Sequence, residues 1–193
     1  VLHTAADGTV LARETERFAI RGRVYSDALP ADAPEYGGAL EAKQEDGSAA
    51  ATVQATPRRL LRRVTVTAPD DMTAFARTSG DFNPIHTSTR GARISGLAAP
   101  LVHGMWLSAT AQYAVQALDE KGAHYEIAGW TYNMYGMVQL DDKVEISIER
   151  VGKVEHGGMA FEVTCRIDGQ LVSRGTALVR APKSAFVYPG QGI

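Results

Sequence analysis

A chain of 193 residues with a single cysteine, Cys165, has no means of building an internal disulfide framework. That scarcity fits a reducing compartment, and a cytoplasmic location is expected. Neither sign of charge is in excess. Lys and Arg total 20 against 22 Asp and Glu, a formal net charge of -2, so no nucleic-acid partner is expected. The chain lacks any run of about 18 apolar residues, and with it any expected membrane span. It also lacks a basic segment followed by an apolar stretch, hence a signal peptide. An initiator methionine is missing too: the chain starts at Val1, as a fragment or processed product would. There is no His-Glu-x-x-His, no Gly-x-Gly-x-x-Gly and no Walker loop, so neither a metal nor another cofactor is expected. What remains is a chain with 45% hydrophobic and 22% charged residues, long enough to bury a real core.

Residues 9–24 suggest one or two strands without obvious partners. Residues 28–58, rich in Ala, Pro, Gly and acidic groups, read as a linker. The pattern then sharpens. Residues 60–67 are β-like. Asp70 or Asp71 is placed to cap a short helix carrying Met72, Phe75 and Ala76 on one face, and Gly80 to end it. An irregular stretch is expected up to Pro100. Residues 104–118 form the longest helix candidate, apolar almost all round, as a helix enclosed on every side would be. Its one polar line is Ser108, Gln112 and Gln116. Four strand candidates follow, at 125–138, 144–151, 159–167 and 171–180. The second and third alternate strictly, and Asp168-Gly169 between the last two is a two-residue hairpin signal. An enclosed helix beside an antiparallel meander predicts an α+β protein whose sheet curves around the helix. Any open face then calls for a second copy or another domain.

Residues 75–86 read Phe-Ala-Arg-Thr-Ser-Gly-Asp-Phe-Asn-Pro-Ile-His. Asp81 and His86 stand five residues apart on a turn that Gly80, Asn83 and Pro84 stiffen. Such a turn presents a proton donor and a proton acceptor to one side of a substrate. On spacing alone, such a pair is more often a turn with a surface histidine than chemistry. A second element, Pro100-Leu-Val-His103-Gly104-Met105, precedes the long helix.

Together the two elements resemble the MaoC-like family of (R)-specific enoyl-thioester hydratases and (R)-3-hydroxyacyl-thioester dehydratases. The family pattern runs aromatic, then Gly-Asp-x-Asn-Pro-aliphatic-His, then Ala or Ser. Here it is met by Phe75, residues 80–86 and Ala92. The resemblance implies a hot dog fold, a long central helix wrapped by an antiparallel sheet, over residues 59–182. Residues 185–192, ending Gly-Gln-Gly, look like the opening of an acyltransferase domain at 183–193. A dehydratase running into an acyltransferase resembles the order in type I fatty acid synthases, closest to the actinobacterial ones. On that likeness residues 1–27 would be the tail of a preceding hot dog-like segment.

The resemblance implies dehydration of (3R)-hydroxyacyl thioesters to trans-2-enoyl thioesters. His86 and Asp81 would act as a catalytic pair, His86 as base and Asp81 protonating the leaving hydroxyl or holding the water in reverse, with the sequence leaving open which moves which proton. The Gly104 N–H at the helix N-terminus would be the oxyanion donor. Gly80, Asn83 and Pro84 would shape the loop, and His103, Met105, Trp130 and Tyr132 are candidates for lining the substrate. His103 and the two aromatics have plain core readings as well. Expected partners are an acyl group on acyl carrier protein or CoA, the neighbouring synthase domains, and a second hot dog, in a homo-oligomer or otherwise. Arg58-Arg59 and Arg62-Arg63 suit either an acidic carrier protein or a solvated strand edge. His3, His124 and His156 read as solvated, and Cys165 as inert core. A stand-alone (R)-specific enoyl-CoA hydratase and a non-catalytic hot dog assembly module are the alternatives. The Gly190-Gln191-Gly192 tail argues against the first and the intact Asp81/His86 pair against the second.

Overall fold

The computed structural model describes residues 2–13, 53–117, 125–154 and 157–180. Most of the expected linker, Leu118, His124, His156 and the acyltransferase-like end lie outside the described residues. The chain divides into two units, Val1–Gly37 and Gly38–Ile193. In the first, β1 (Leu2–Thr4) and β2 (Val10–Arg13) pair as an antiparallel hairpin. The second unit holds every candidate site residue.

The first described element of the second unit is β3 (Val53–Thr67), an edge strand of 15 residues. It starts inside the stretch read as linker. Pro57 falls where the register with its neighbour shifts, between Ala55 and Arg59. Edge strands and bulges are the places in a sheet where a residue with no N–H is tolerated. Next comes α1 (Thr73–Ser79), whose start is fixed by Asp71. Its Oδ1 accepts the N–H of Thr73 at 3.1 Å and its hydroxyl at 2.8 Å. Two short helices, α2 (Pro84–Thr87) and α3 (Thr89–Ile94), occupy the stretch expected to be irregular. The long helix α4 (Gly104–Gln116) follows, then β4 (Glu126–Met134), β5 (Lys143–Val154), β6 (Gly158–Ile167) and β7 (Gln170–Arg180).

The five strands of this unit form one antiparallel sheet in the order β3-β5-β6-β7-β4. β3 and β4 therefore lie on opposite edges. The chain between them must cross the sheet, and that crossing carries α1 to α4 and the motif. Alternation selects the face: Val144, Ile146 and Ile148 of β5 and Phe161, Val163 and Cys165 of β6 are fully buried. They share one core with Leu107, Ala111, Ala114 and Val115 of α4. The other face is polar. Arg58 pairs with Glu149 at 3.4 Å and with Glu162, and Arg63 with Glu145 at 3.5 Å. Arg62 instead donates to the carbonyl of Ala117 at the end of α4, where a cation suits the helix dipole.

A helix laid across an antiparallel sheet with this strand order is the hot dog fold. The sheet does not enclose α4 on every side. Met105 and Tyr113, two turns apart on one line, are 50% and 68% exposed. The polar line of the helix is itself divided: Ser108 is buried and accepts the indole N–H of Trp130 at 3.0 Å, while Gln116 is exposed.

Candidate active site

Each side chain of the motif is set by a local backbone cause. Gly80 ends α1 in the left-handed region at φ 78°, donating its N–H to Ala76. The Asp81 carboxylate is then tied back on its own loop, Oδ1 accepting the N–H of Asn83 at 3.0 Å. Asn83 caps α2, its side chain accepting from the N–H of Ile85 at 3.3 Å. Pro84 takes the first helical position, where a missing N–H costs nothing. One turn further on, the Nδ1–H of His86 donates to the carbonyl of Leu101 at 2.8 Å. A carbonyl only accepts, so Nδ1 holds the hydrogen and Nε2 keeps its lone pair.

Leu101 is held in turn. Its N–H donates to the carbonyl of Ile85, and the N–H of Val102 to that of Val138. Leu101 also bridges to Gln139. The helix bearing His86 is thus stitched to the strand side of the fold. α3 presses on it from another direction. A Cβ at Gly91 would stand 2.4 Å from the Cβ of Pro84 and 2.8 Å from its carbonyl oxygen. Backbone does not yield as a side-chain tip does. Gly91→Ala is expected to cost about 1–3 kcal/mol and to lower kcat, because α2 must move with His86 on it. Thermal unfolding beside steady-state kinetics checks this; a native Tm would show that the contact relaxes freely.

The side chains of Asp81, His86 and His103 come together, with one ligand atom from each lying within 4.8 Å of the others. His103 is the residue before α4 and is 2% exposed. Its ring stacks on that of His86 with centroids 3.9 Å apart at 28°, and packs against Phe75 on its other contact at 5.1 Å. Its Nε2 lies 3.0 Å from the Asp81 carbonyl oxygen and 3.7 Å from the carboxylate. Burial holds the pKa of His86 below its ordinary value of 6.5, and neighbouring His103 adds to this. The Leu101 hydrogen bond and the Asp81 charge work against it without reversing it. A pKa held below 6.5 leaves the ring mostly neutral at pH 7.

Gly104 opens α4 directly behind this pair. No side chain caps this helix end, and its first turn carries no acidic residue. Helix N-termini present free N–H groups and the positive end of the dipole. The absent Cβ of Gly104 leaves space that the thioether of Met134 occupies, with Sδ 2.1 Å from where that Cβ would be. Met134 and Met105 are both about half exposed here.

The donor set of two histidines and an aspartate also invites a metal reading. Two imidazoles that share an ion aim their lone pairs at one point about 2.0–2.1 Å away. Rings stacked nearly parallel point theirs side by side, and the His86 Nδ1 and His103 Nε2 are engaged by backbone carbonyls. The arrangement suits proton transfer better than chelation.

Trp130 and Tyr132, also expected to line the substrate, have their polar tips bonded elsewhere. Trp130 stacks on Tyr132 at 5.6 Å, and the tips of both are taken up inside the fold. Trp130 donates to Ser108, and the Tyr132 hydroxyl is 2.6 Å from Ser173 Oγ. Burial pushes the Tyr132 phenol far up. It pushes the Cys165 thiol up as well, which keeps that sulfur protonated. A depression of about 350 Å³ near the β6–β7 turn, lined by Met137, Gln139 and Asp168 among others, contains none of the site residues. Sequence reading missed the Leu101 carbonyl and left His103 between lining and filling. The only signal was that His103 adjoins Gly104 in one motif.

An acid and an imidazole meet at the open N-terminus of a sheet-covered helix, on a hot dog fold, as the chemistry of a hydro-lyase requires. Residues 49–169 match the MaoC like domain model, and the chain belongs to that family. It is 36% identical over 129 residues to the fatty acid synthase beta subunit TOXC of Cochliobolus carbonum. That match takes up 66% of the chain but only 6% of the larger protein's length. Among solved structures, the unliganded R-hydratase PhaJ1 from Pseudomonas aeruginosa superposes with a TM-score of 0.59 at 22% identity. It covers 67% of this chain and 82% of PhaJ1. The (R)-hydratase from A. caviae involved in PHA biosynthesis gives 0.54 at 25% identity, over 64% of this chain and 97% of that one.

Proposed function

We propose that this chain dehydrates (3R)-hydroxyacyl thioesters to trans-2-enoyl thioesters, and hydrates them in reverse, as the dehydratase part of a fatty acid synthase. The observation that carries this reading is the meeting of Asp81 with a His86 whose Nε2 is free, next to the uncapped start of α4. The neutral Nε2 of His86 takes the C2 proton, and the electron pair left behind forms the C2=C3 double bond. The C3–O bond breaks as Asp81 delivers a proton to the departing hydroxyl, which leaves as water. His86 then returns the proton to Asp81. The N–H of Gly104 bonds the thioester oxygen, where negative charge builds as C2 loses its proton.

Likeness to a synthase beta subunit supports a carrier-protein-bound substrate, a cytoplasmic setting, and a domain at 59–182 running into an acyltransferase at 183–193. The exposed Phe82, Met105, Tyr113 and Met134 support pairing with a second hot dog across the open face of α4 and the free edge of β4. The near-complete cover of the A. caviae hydratase favours one other reading, a stand-alone CoA-dependent hydratase.

The test is hydration of trans-crotonyl-CoA and of the same acyl group on a carrier protein, with the chirality of the product determined. The (R)-3-hydroxy product is expected, formed faster from the carrier. Faster turnover of the CoA ester would favour the stand-alone enzyme, and an (S) product would overturn the assignment. With a (3R)-hydroxyacyl thioester as substrate, His86 must be neutral to take the C2 proton, and because its pKa is depressed the loss of dehydration kcat/KM from its protonation should set in only below pH 6.5.

A further inference from the structure

The reaction above uses two of the three titratable side chains gathered at the site. The third, His103, is the most deeply buried of them and touches the other two. Its Nε2 faces the main-chain carbonyl of Asp81, which only accepts, so that nitrogen carries the hydrogen and donates it. The opposite nitrogen, Nδ1, is buried with no hydrogen-bond partner. An unpartnered buried polar atom carries a stability cost that a phenylalanine in the same slot would avoid. The imidazole therefore does something there that packing alone does not require.

What it does can be read from its three attachments. Its N–H holds the backbone of Asp81, which places the carboxyl. Its face stacks on the His86 ring, and Phe75 packs on His103 in turn. Its own main chain leads straight into Gly104, the first residue of α4. We propose that His103 is a positioning residue that holds acid, base and oxyanion donor in one frame without touching the substrate. The proposal rests on the roles given to Asp81 and His86 above.

Two amide side chains separate this role from filling space. The amide nitrogen of glutamine stands close to where the imidazole Nε2 was, whereas that of asparagine falls short, near the Nδ1 position. In the full chain, His103→Asn is expected to lose about tenfold to a hundredfold in kcat with little change in KM, as misplacement of reacting groups does. His103→Gln is expected to recover most of that loss. Equal kcat in the two variants, or native kcat in His103→Asn, overturns the proposal. Loss of the folded state in both, seen by circular dichroism, overturns it too, since His103 would then serve stability alone. His86→Ala in the same assay keeps the two claims apart. If it is inactive while His103→Asn is native, only the positioning role fails; if it is fully active, the reading of the pair fails first.

Discussion

His86→Ala and Asp81→Asn should each lower kcat/KM for enoyl-thioester hydration by about 10²–10⁴-fold, the usual share of a general acid or base. Both variants should remain folded. Asparagine at 81 has the shape of the aspartate and still offers an oxygen to the Asn83 N–H, so the loop survives. It can neither give a proton to a leaving hydroxyl nor take one from the incoming water of the hydration direction. Alanine at 86 removes the base and leaves the Leu101 carbonyl without its imidazole donor, a loss worth about 1 kcal/mol at a half-buried position. Circular dichroism and Tm alongside the kinetics separate the two effects. A folded variant of either kind with native activity would remove that residue from the mechanism.

The largest loss of stability is expected at Phe161. It sits mid-strand in β6, fully buried, pairs with Ala177 of β7, and meets the ring of Tyr125 edge-on at 5.7 Å. Phe161→Ala removes a ring from a core shared by the sheet and α4, and should cost about 3–5 kcal/mol through lost burial and the cavity left. Against a net stability of about 5–15 kcal/mol, that is a large fraction. The neighbour Glu162 offers the contrast. It points to the polar face and pairs with Arg58 and Arg174, and Glu162→Ala should cost about 1 kcal/mol or less, the ordinary worth of exposed ion pairs. Urea unfolding of both variants measures the difference. Similar midpoints would mean that the two faces of β6 are not distinguished as core and surface.

Strand alternation was readable because it depends only on neighbours in the chain. Val144, Ile146 and Ile148 declare one face of β5 whatever they pack against. The turn at Asp168-Gly169 was readable for the same kind of reason: both residues take positive φ, at 48° and 79°, in the tight turn between β6 and β7. Elements without a period were not readable. α2 and α3, of four and six residues, are too short to show a helical repeat. The first half of β3 was hidden by Pro57 and a run of small and polar residues resembling a linker. The apolar helix was found, but its composition alone could not say whose atoms would cover it. The chain's own sheet covers the side of Leu107, Ala111 and Val115 and leaves Met105 and Tyr113 in the open.

The same division runs through the site. Gly80, Asp81, Asn83 and Pro84 shape their loop through bonds spanning two to four residues, so the turn and the presence of an acid and a base upon it are properties of the local chain. Which nitrogen of His86 is free depends on a carbonyl 15 residues away, and the bracing of Asp81 on an imidazole 22 residues away. Those partners meet only because β3 and β4 lie on opposite edges of the sheet, so the chain between them must fold over its face. Hydrogen bonds and ring contacts act over a few ångströms of space, and no spacing along the chain can stand in for that distance.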